Sequence, residues 1–276
     1  MTIREALKGA SARLEAAGVP NASYDAMQML AHVLGEDALM MRLNGYRDLE
    51  EDKKEAYEAM LVRREKREPM QYILGSTGFM GLDFHVAPGV LIPRPDTEIL
   101  CEEALRRLGP GARVLDIGTG SGAIAVSVAK LGKDVHVTAV DVSDTALRVA
   151  GGNAERNGAQ VRFVKSDCFA ALAGEKFDMI ISNPPYISRT EMETLMPEVR
   201  MEPELALFGG EDGLDFYRRI SREAGAYLKQ GGCLLFEIGW QQKDAVCDLL
   251  REYIGEPFAL RDYGDNWRVV GAAKTK

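Results

Sequence analysis

Arg113-Val114-Leu115-Asp116-Ile117-Gly118-Thr119-Gly120-Ser121-Gly122 is a short apolar run that breaks into three alternating glycines. The run predicts a buried strand. The glycines predict a tight turn, because glycine takes left-handed backbone angles at no steric cost and lets a ligand approach the chain closely. Ala123 to Leu131 then continues as a helix. Strand, turn and helix in that order put the turn at a strand's carboxyl end, where open α/β sheets bind ligands.

The alternation repeats downstream. Val135 to Val140 reads as a second strand ending at Asp141, Ser143 to Asn157 as a helix, and Gln160 to Val164 as a third strand that ends near Ser166-Asp167-Cys168-Phe169. Phe177-Asp178-Met179-Ile180-Ile181 reads as a fourth strand and runs into Ser182-Asn183-Pro184-Pro185-Tyr186. Two consecutive prolines cannot donate to a sheet ladder, so the chain must leave the sheet there. Tyr217 to Leu228 reads as a helix, Gly232 to Ile238 as a fifth strand and Gln241 to Arg251 as the last main helix. Phe258 to Leu260 and Arg268 to Val270 close the sheet. The fold class that follows is α/β, a mostly parallel sheet with helices on both faces.

Upstream the period is helical. Thr2 and Glu5 have capping-box spacing, and Ile3, Leu7, Ala10 and Leu14 share one helix face. Tyr24, Met27, Leu30, Ala31 and Leu34 form a second stripe that stops at Gly35. Leu39 to Leu43 and Leu49 to Arg67 complete a small bundle, with Tyr57, Met60 and Leu61 inward. Residues 1–75 therefore read as a helical docking domain. Arg63-Arg64-Glu65-Lys66-Arg67 reads as a solvated helix face, or more sharply as a contact for phosphate or an acidic partner. Residues 76–98 read as a hairpin linker pairing Phe84-His85-Val86 with Val90-Leu91-Ile92 across Ala87-Pro88-Gly89. His85 reads as structural, and Arg94 as bordering the substrate mouth. Asp96 or Thr97 reads as the cap of the next helix, opening residues 99–276.

The 276 residues carry a net charge of −8, which argues against broad nucleic-acid binding. The four cysteines, Cys101, Cys168, Cys233 and Cys247, show no C-x-x-C spacing, and there are three histidines. Neither a metal site nor a disulfide framework is expected. No apolar signal region opens the chain and no long apolar run follows, so a cytoplasmic protein with no membrane contact is expected.

Gly118-x-Gly120-x-x-Ala123 satisfies a dinucleotide pattern, so NAD is one candidate ligand. Asp116 argues otherwise, since a carboxylate just before the turn would oppose a pyrophosphate and suits the cationic amino group of S-adenosylmethionine. Asp141 stands where a ribose-hydroxyl acceptor belongs. Asp167 can accept from an adenine amine, with Cys168 and Phe169 at the ring edge. Each acid alone has a plain reading as a turn or cap residue. At the fourth strand's exit, Asn183 offers an acceptor oxygen, Pro184 a backbone carbonyl and Tyr186 a flat face. That set suits a planar substrate bearing an NH2 group.

Asp116 to Gly122, Asp141, Asp167 and Asn183-Pro184-Pro185-Tyr186 together resemble class I S-adenosylmethionine-dependent methyltransferases that modify planar nitrogens. Glu68 to Gly75, Leu91 to Glu98, Glu202-Pro203, Leu207-Phe208-Gly209-Gly210 and Glu237-Ile238-Gly239 resemble, more narrowly, the release-factor glutamine methyltransferase family, also called PrmC or HemK. The resemblance implies a Rossmann-like seven-stranded class I methyltransferase sheet with a small N-terminal helical bundle. It implies methylation of the side-chain amide of the glutamine in the Gly-Gly-Gln tripeptide of bacterial class I peptide-chain release factors, which act in translation termination. S-adenosyl-L-methionine would be held by Asp116, Gly118, Thr119, Gly120, Ser121, Gly122, Asp141, Asp167, Cys168 and Asn183. The glutamine would be held by Asn183, Pro184, Pro185 and Tyr186, of which Asn183, Pro184 and Tyr186 act in the transfer. Cys168 stands where many members carry an aromatic residue. The rival readings are a nucleic-acid amino-methyltransferase and a non-catalytic scaffold that keeps the cofactor fold.

Overall fold

A computed structural model of the chain describes residues 1–275. These fall into two compact units. Met1–Gly75 and the short segment Met196–Met201 form the first, and the remaining described residues form the second.

In the first unit the helices are α1 (Ile3–Ala16), α2 (Ala22–Leu34), α3 (Ala38–Leu43), α4 (Glu51–Glu65) and α5 (Met70–Leu74). The expected capping box is present: Glu5 donates its backbone N–H to Thr2 Oγ1, and Thr2 donates its own to Glu5 Oε2. Ile3, Ala6, Ala10 and Leu14 of α1 pack on Ala26, Met29 and Leu30 of α2 and on Tyr57 and Leu61 of α4. The buried face of α2 differs from the expected stripe. Tyr24 is exposed, whereas Asp25 is buried with Ala26 and Met29. The reason is an ion pair, since Arg64 Nε of α4 meets Asp25 Oδ2 at 2.8 Å. A charged residue on the inner face defeats a reading by apolar spacing.

Three arginines of the basic run are paired with carboxylates of the same unit. Arg63 is bonded to Glu68, Arg64 to Asp25 and Glu198, and Arg67 to Glu198. Arg64 is only 5 % exposed, as a buried guanidinium can be only when its donors are matched by carboxylates.

The second unit opens with a hairpin, β1 (Ser76–Phe79) and β2 (Leu82–His85). Its turn is Met80-Gly81, both at positive φ, which is the two-residue geometry that suits a twisted hairpin. The pairing expected between 84–86 and 90–92 does not form. The hairpin is part of the second unit's core rather than a separate linker, with Phe79 and Phe84 edge-to-face at 6.0 Å beneath α6 (Glu98–Arg107). The expected cap of α6 is also absent. A single 3-10 turn, Pro95–Thr97, runs directly into the helix, and the Thr97 hydroxyl is used elsewhere.

There follow β3 (Arg113–Ile117), α7 (Ala123–Leu131), β4 (His136–Asp141), α8 (Asp144–Asn157), β5 (Val161–Lys165), β6 (Phe177–Ser182), α9 (Arg189–Met192), α10 (Asp215–Tyr227), β7 (Leu228–Glu237), α11 (Lys243–Tyr253), β8 (Pro257–Arg261) and β9 (Trp267–Ala273). The seven-stranded sheet has the order β5-β4-β3-β6-β7-β9-β8, parallel except for β9, which is antiparallel to β7 and β8. Leu100, Ile124 and Val126 cover one face, and Tyr217, Ile220, Val246 and Leu250 cover the other. This is the Rossmann-like arrangement expected. The sheet order reverses between β3 and β6, so the loops after β3 and β6 open side by side.

Among the described residues no helix is long and apolar enough to cross a membrane, and no cluster of His, Cys, Asp or Glu could hold a metal ion.

Candidate active site

A cavity of about 330 Å³ opens at the carboxyl ends of β3 to β6. That volume is within the range of small-molecule sites. Gly118 and Gly120 form its floor at φ +74° and +55°, and neither has an atom within 4 Å of where a Cβ would stand. The turn is tied to β4 by the Gly118 and Thr119 N–H groups, which donate to the Val140 carbonyl at 2.9 and 3.0 Å. Asp141 lines the cavity beside them. Its Oδ2 accepts from Gly120 N and its Oδ1 from Ser143 N, each at 2.9 Å. Asp141 thus shapes the glycine turn and the start of α8, and each oxygen keeps a lone pair for a ligand hydroxyl.

Asp116, Thr119, Ser121 and Gly122 do not line the cavity; they are buried behind it. Asp116 is 1 % exposed, and among the described residues neither carboxylate oxygen has a hydrogen bond of full geometry. Burial pushes its carboxyl up to about 7, against the nearby Thr119 hydroxyl and Ala125 N–H, and the Asp141 charge adds to the rise. A buried carboxylate without a partner is costly, and a ligand cation would relieve it. A carboxylate in that place fits a ligand ammonium group better than a pyrophosphate.

Gly122, at φ +83°, begins α7, and a Cβ there would lie 2.9 Å from Ala150 Cβ of α8. Gly122→Ala should therefore destabilise the fold by about 1–3 kcal/mol through strain and overpacking. The measurement is the shift in denaturant midpoint. An unchanged midpoint would show that the turn and α8 shift to accommodate the methyl group.

Ser121 serves a neighbouring contact. Asn153, fully buried on α8, donates Nδ2–H to the Ser121 and His85 carbonyls at 2.8 and 2.9 Å and accepts from His85 N at 2.7 Å. One side chain thereby ties β2 to the glycine turn, and the sequence carries no pattern that marks it.

Asp167 and Cys168 line the opposite wall with Phe216 and Ile220. Asp167 Oδ1 accepts from Arg219 Nη1 at 2.6 Å. Cys168 stands at φ +48°, an uncommon conformation for a side-chain residue, and burial pushes its thiol up to about 11, so it lines the wall as a neutral apolar group. Phe169 is not at the ring edge as expected. It points into the core, stacked on Tyr227 at 4.4 Å. Phe216 is the aromatic residue on the cavity wall, and only the tertiary packing of α10 reveals it.

Asn183, Pro184 and Pro185 line the same cavity as the glycines. Asn183 is half-buried and donates Nδ2–H to Thr97 Oγ1 at 3.3 Å. Tyr186 lines a different cavity, of about 310 Å³, with Trp240, Gln242 and Arg268. Burial pushes its phenol up to about 12. Gln242, at the start of α11, holds this segment by donating to the Tyr186 and Gly213 carbonyls at 3.0 and 3.2 Å and accepting from Gly239 N at 3.0 Å. Gly209 is required for space, because a Cβ there would lie 2.6 Å from the Pro185 carbonyl oxygen. Arg94 pairs with Glu202, which also accepts from Ile92 N at 2.9 Å, so these residues fasten the 92–94 and 202–203 segments beside the mouth.

Two family models match the chain: "PrmC N-terminal domain" over residues 5–75 and "Methyltransferase small domain" over residues 95–199. A release factor glutamine methyltransferase of Geobacter sulfurreducens is 45 % identical over 98 % of this chain and 96 % of its own length. The protein of the same name from Fusobacterium nucleatum is 43 % identical over 93 % of this chain and 75 % of its own. The crystal structure of a methyltransferase from Pyrococcus furiosus superposes with a TM-score of 0.55 at 24 % identity, over 70 % of this chain and 89 % of that one, and shows likeness of fold.

Proposed function

The chain belongs to the release factor glutamine methyltransferase family, and from that premise we propose that it methylates the side-chain amide nitrogen of the glutamine in the Gly-Gly-Gln tripeptide of class I release factors. The observation that carries the reading is that Asn183 and Pro184 lie on the wall of the cavity floored by Gly118 and Gly120. A place for a nucleotide-like ligand and a place for a planar amide are therefore one site.

Gly118, Gly120, Asp141, Asp167 and Cys168 hold S-adenosyl-L-methionine, with Asp116 behind the turn compensating its amino cation. Bound there, it supplies an electrophilic methyl group. The residues on the amide side have a placement task, because an amide nitrogen is a weak nucleophile whose lone pair is delocalised into the carbonyl. Asn183 Oδ1 and the Pro184 carbonyl accept the two amide hydrogens. That aims the nitrogen and stabilises the positive charge that develops on it, and one of the two amide protons then leaves to solvent. Pro185 stiffens the segment, and Tyr186 offers an aromatic face to the acceptor chain from the second cavity. Residues 1–75 serve to dock the substrate protein.

Transfer of labelled methyl groups tests the reading. Label is expected on a release factor, and none on the same factor with its tripeptide glutamine replaced by alanine. Label on bulk DNA or rRNA would favour a nucleic-acid amino-methyltransferase, and the absence of label on any acceptor would favour a scaffold.

A further inference from the structure

Behind Asn183 runs a buried chain of polar groups that the transfer as described does not use. Thr97 Oγ1 accepts from Asn183 Nδ2 at 3.3 Å, and its hydroxyl stands close enough to the Glu237 carboxyl to hold down part of that carboxyl's rise. Thr97 is 4 % exposed and Glu237 1 %. Among the described residues Glu237 Oε2 has no partner. Ser182 of β6 pairs with Phe236 of β7, so Asn183 and Glu237 leave the sheet side by side. Thr97 reaches them from the turn before α6.

A hydroxyl has one proton. Against an ionised carboxylate, which has none to give, it must donate, and its lone pairs are left to accept. The Asn183 amide then has to present its NH2 side to Thr97, which leaves Oδ1 free for the acceptor. A protonated Glu237 can donate to Thr97 instead. The Thr97 proton is then free to bond Oδ1, and the amide can turn over.

We propose that Thr97 and Glu237 are positioning residues for methyl transfer, the ionised carboxylate acting through the Thr97 hydroxyl to hold Asn183 Oδ1 toward the acceptor amide. This rests on the reading of Asn183 as the group that accepts the amide's hydrogens.

Burial holds the Glu237 carboxyl up, to about 7, against the Thr97 hydroxyl and the charge of Arg268; Asp96 adds to the rise and Arg94 opposes it. Tyr186, Tyr217 and Cys101 also face Glu237, and burial raises all three, so each stays neutral through this range. The rate should therefore fall as the pH drops through neutrality.

The test is single-turnover transfer to a release factor at saturating S-adenosyl-L-methionine, which removes any contribution of Asp116 through cofactor affinity. Glu237→Gln should lower the rate on the order of tenfold at pH 8 and abolish the acidic limb, with cofactor affinity by calorimetry changed less than about twofold. Thr97→Val should lose a similar factor, and Thr97→Ser should recover most of it. A second readout needs no acceptor. The side-chain amide resonances of Asn183, observed by 15N NMR, should titrate with the same midpoint in the wild type and not in Glu237→Gln. Titration without transfer to the release factor would overturn the acceptor assignment and leave the amide-orienting role standing. A Glu237→Gln protein with the wild-type rate and acidic limb would overturn the proposal. So would Asn183 resonances indifferent to Glu237, which keeps the test decisive should Thr97→Val fail to fold.

Discussion

Asn183→Ala should lower the rate of methyl transfer about 100- to 1,000-fold while leaving S-adenosyl-L-methionine affinity nearly unchanged, the scale seen when one preorganised group facing developing charge is removed. Asn183 comes to the cavity wall on a segment that two prolines keep out of the sheet, held from behind by Thr97 and, through the Tyr186 carbonyl, by Gln242. Alanine keeps the backbone path and deletes the acceptor oxygen. The amide nitrogen then has lost one of the two contacts that aim it. Single-turnover kinetics with labelled cofactor and calorimetry on the same preparation separate rate from affinity. A parallel loss of both would place Asn183 chiefly in cofactor binding.

The second large effect concerns Asp116. Its carboxyl is raised from 3.8 to about 7 in the folded protein. Between those values the folded state keeps a proton that the unfolded state has lost. The stability this contributes is present at low pH and is lost as the pH rises toward 7. The full gap of about three units corresponds to roughly 4 kcal/mol. Asp116→Asn removes the charge at almost constant shape. The cofactor-free variant should therefore be more stable than wild type at pH 8, by about 2–4 kcal/mol, and equal to it near pH 4. Glu237 is raised in the same sense, so the variant keeps that share of the pH dependence. The opposite should hold with ligand. At one fixed concentration in excess, S-adenosyl-L-methionine should raise the melting temperature of the wild type and shift the variant much less, because the stabilisation rises with the logarithm of ligand concentration over Kd. An equal shift in both proteins would make Asp116 a structural residue only.

These two residues show how far the site is legible in the chain. Asn183-Pro184-Pro185 and the glycine turn announce themselves because their chemistry is local. Prolines end a strand whatever surrounds them, and alternating glycines after an apolar run make a turn. Asp141 and Asp167 reach the cavity wall for a similar reason, since a charge that closes an apolar strand sits where the sheet opens, whereas Asp116 is buried behind the turn. Glu237 carries that same mark after Cys233-Leu234-Leu235-Phe236, and read alone it is as informative as Asp141. Phe169 misleads because an aromatic next to a cavity residue has two directions available. The positive φ of Cys168 sends Phe169 into the core against Tyr227. The hairpin shifts because two neighbouring segments have similar apolar content, and Met80-Gly81 makes the tighter turn.

What the amino-acid order determined by itself is the alternation of strands and helices, the glycine turn, the proline exit and the acids at strand ends. Each follows from backbone geometry and side-chain period over a few residues. What only the tertiary structure decided is which distant groups meet. Asp25 is buried against Arg64, Asn153 joins β2 to the glycine turn, Phe216 reaches the cavity, and Thr97 and Glu237 converge on Asn183. Hydrogen bonds and ion pairs depend on distance and direction in space, and a linear pattern records neither for residues as far apart as 97, 183 and 237.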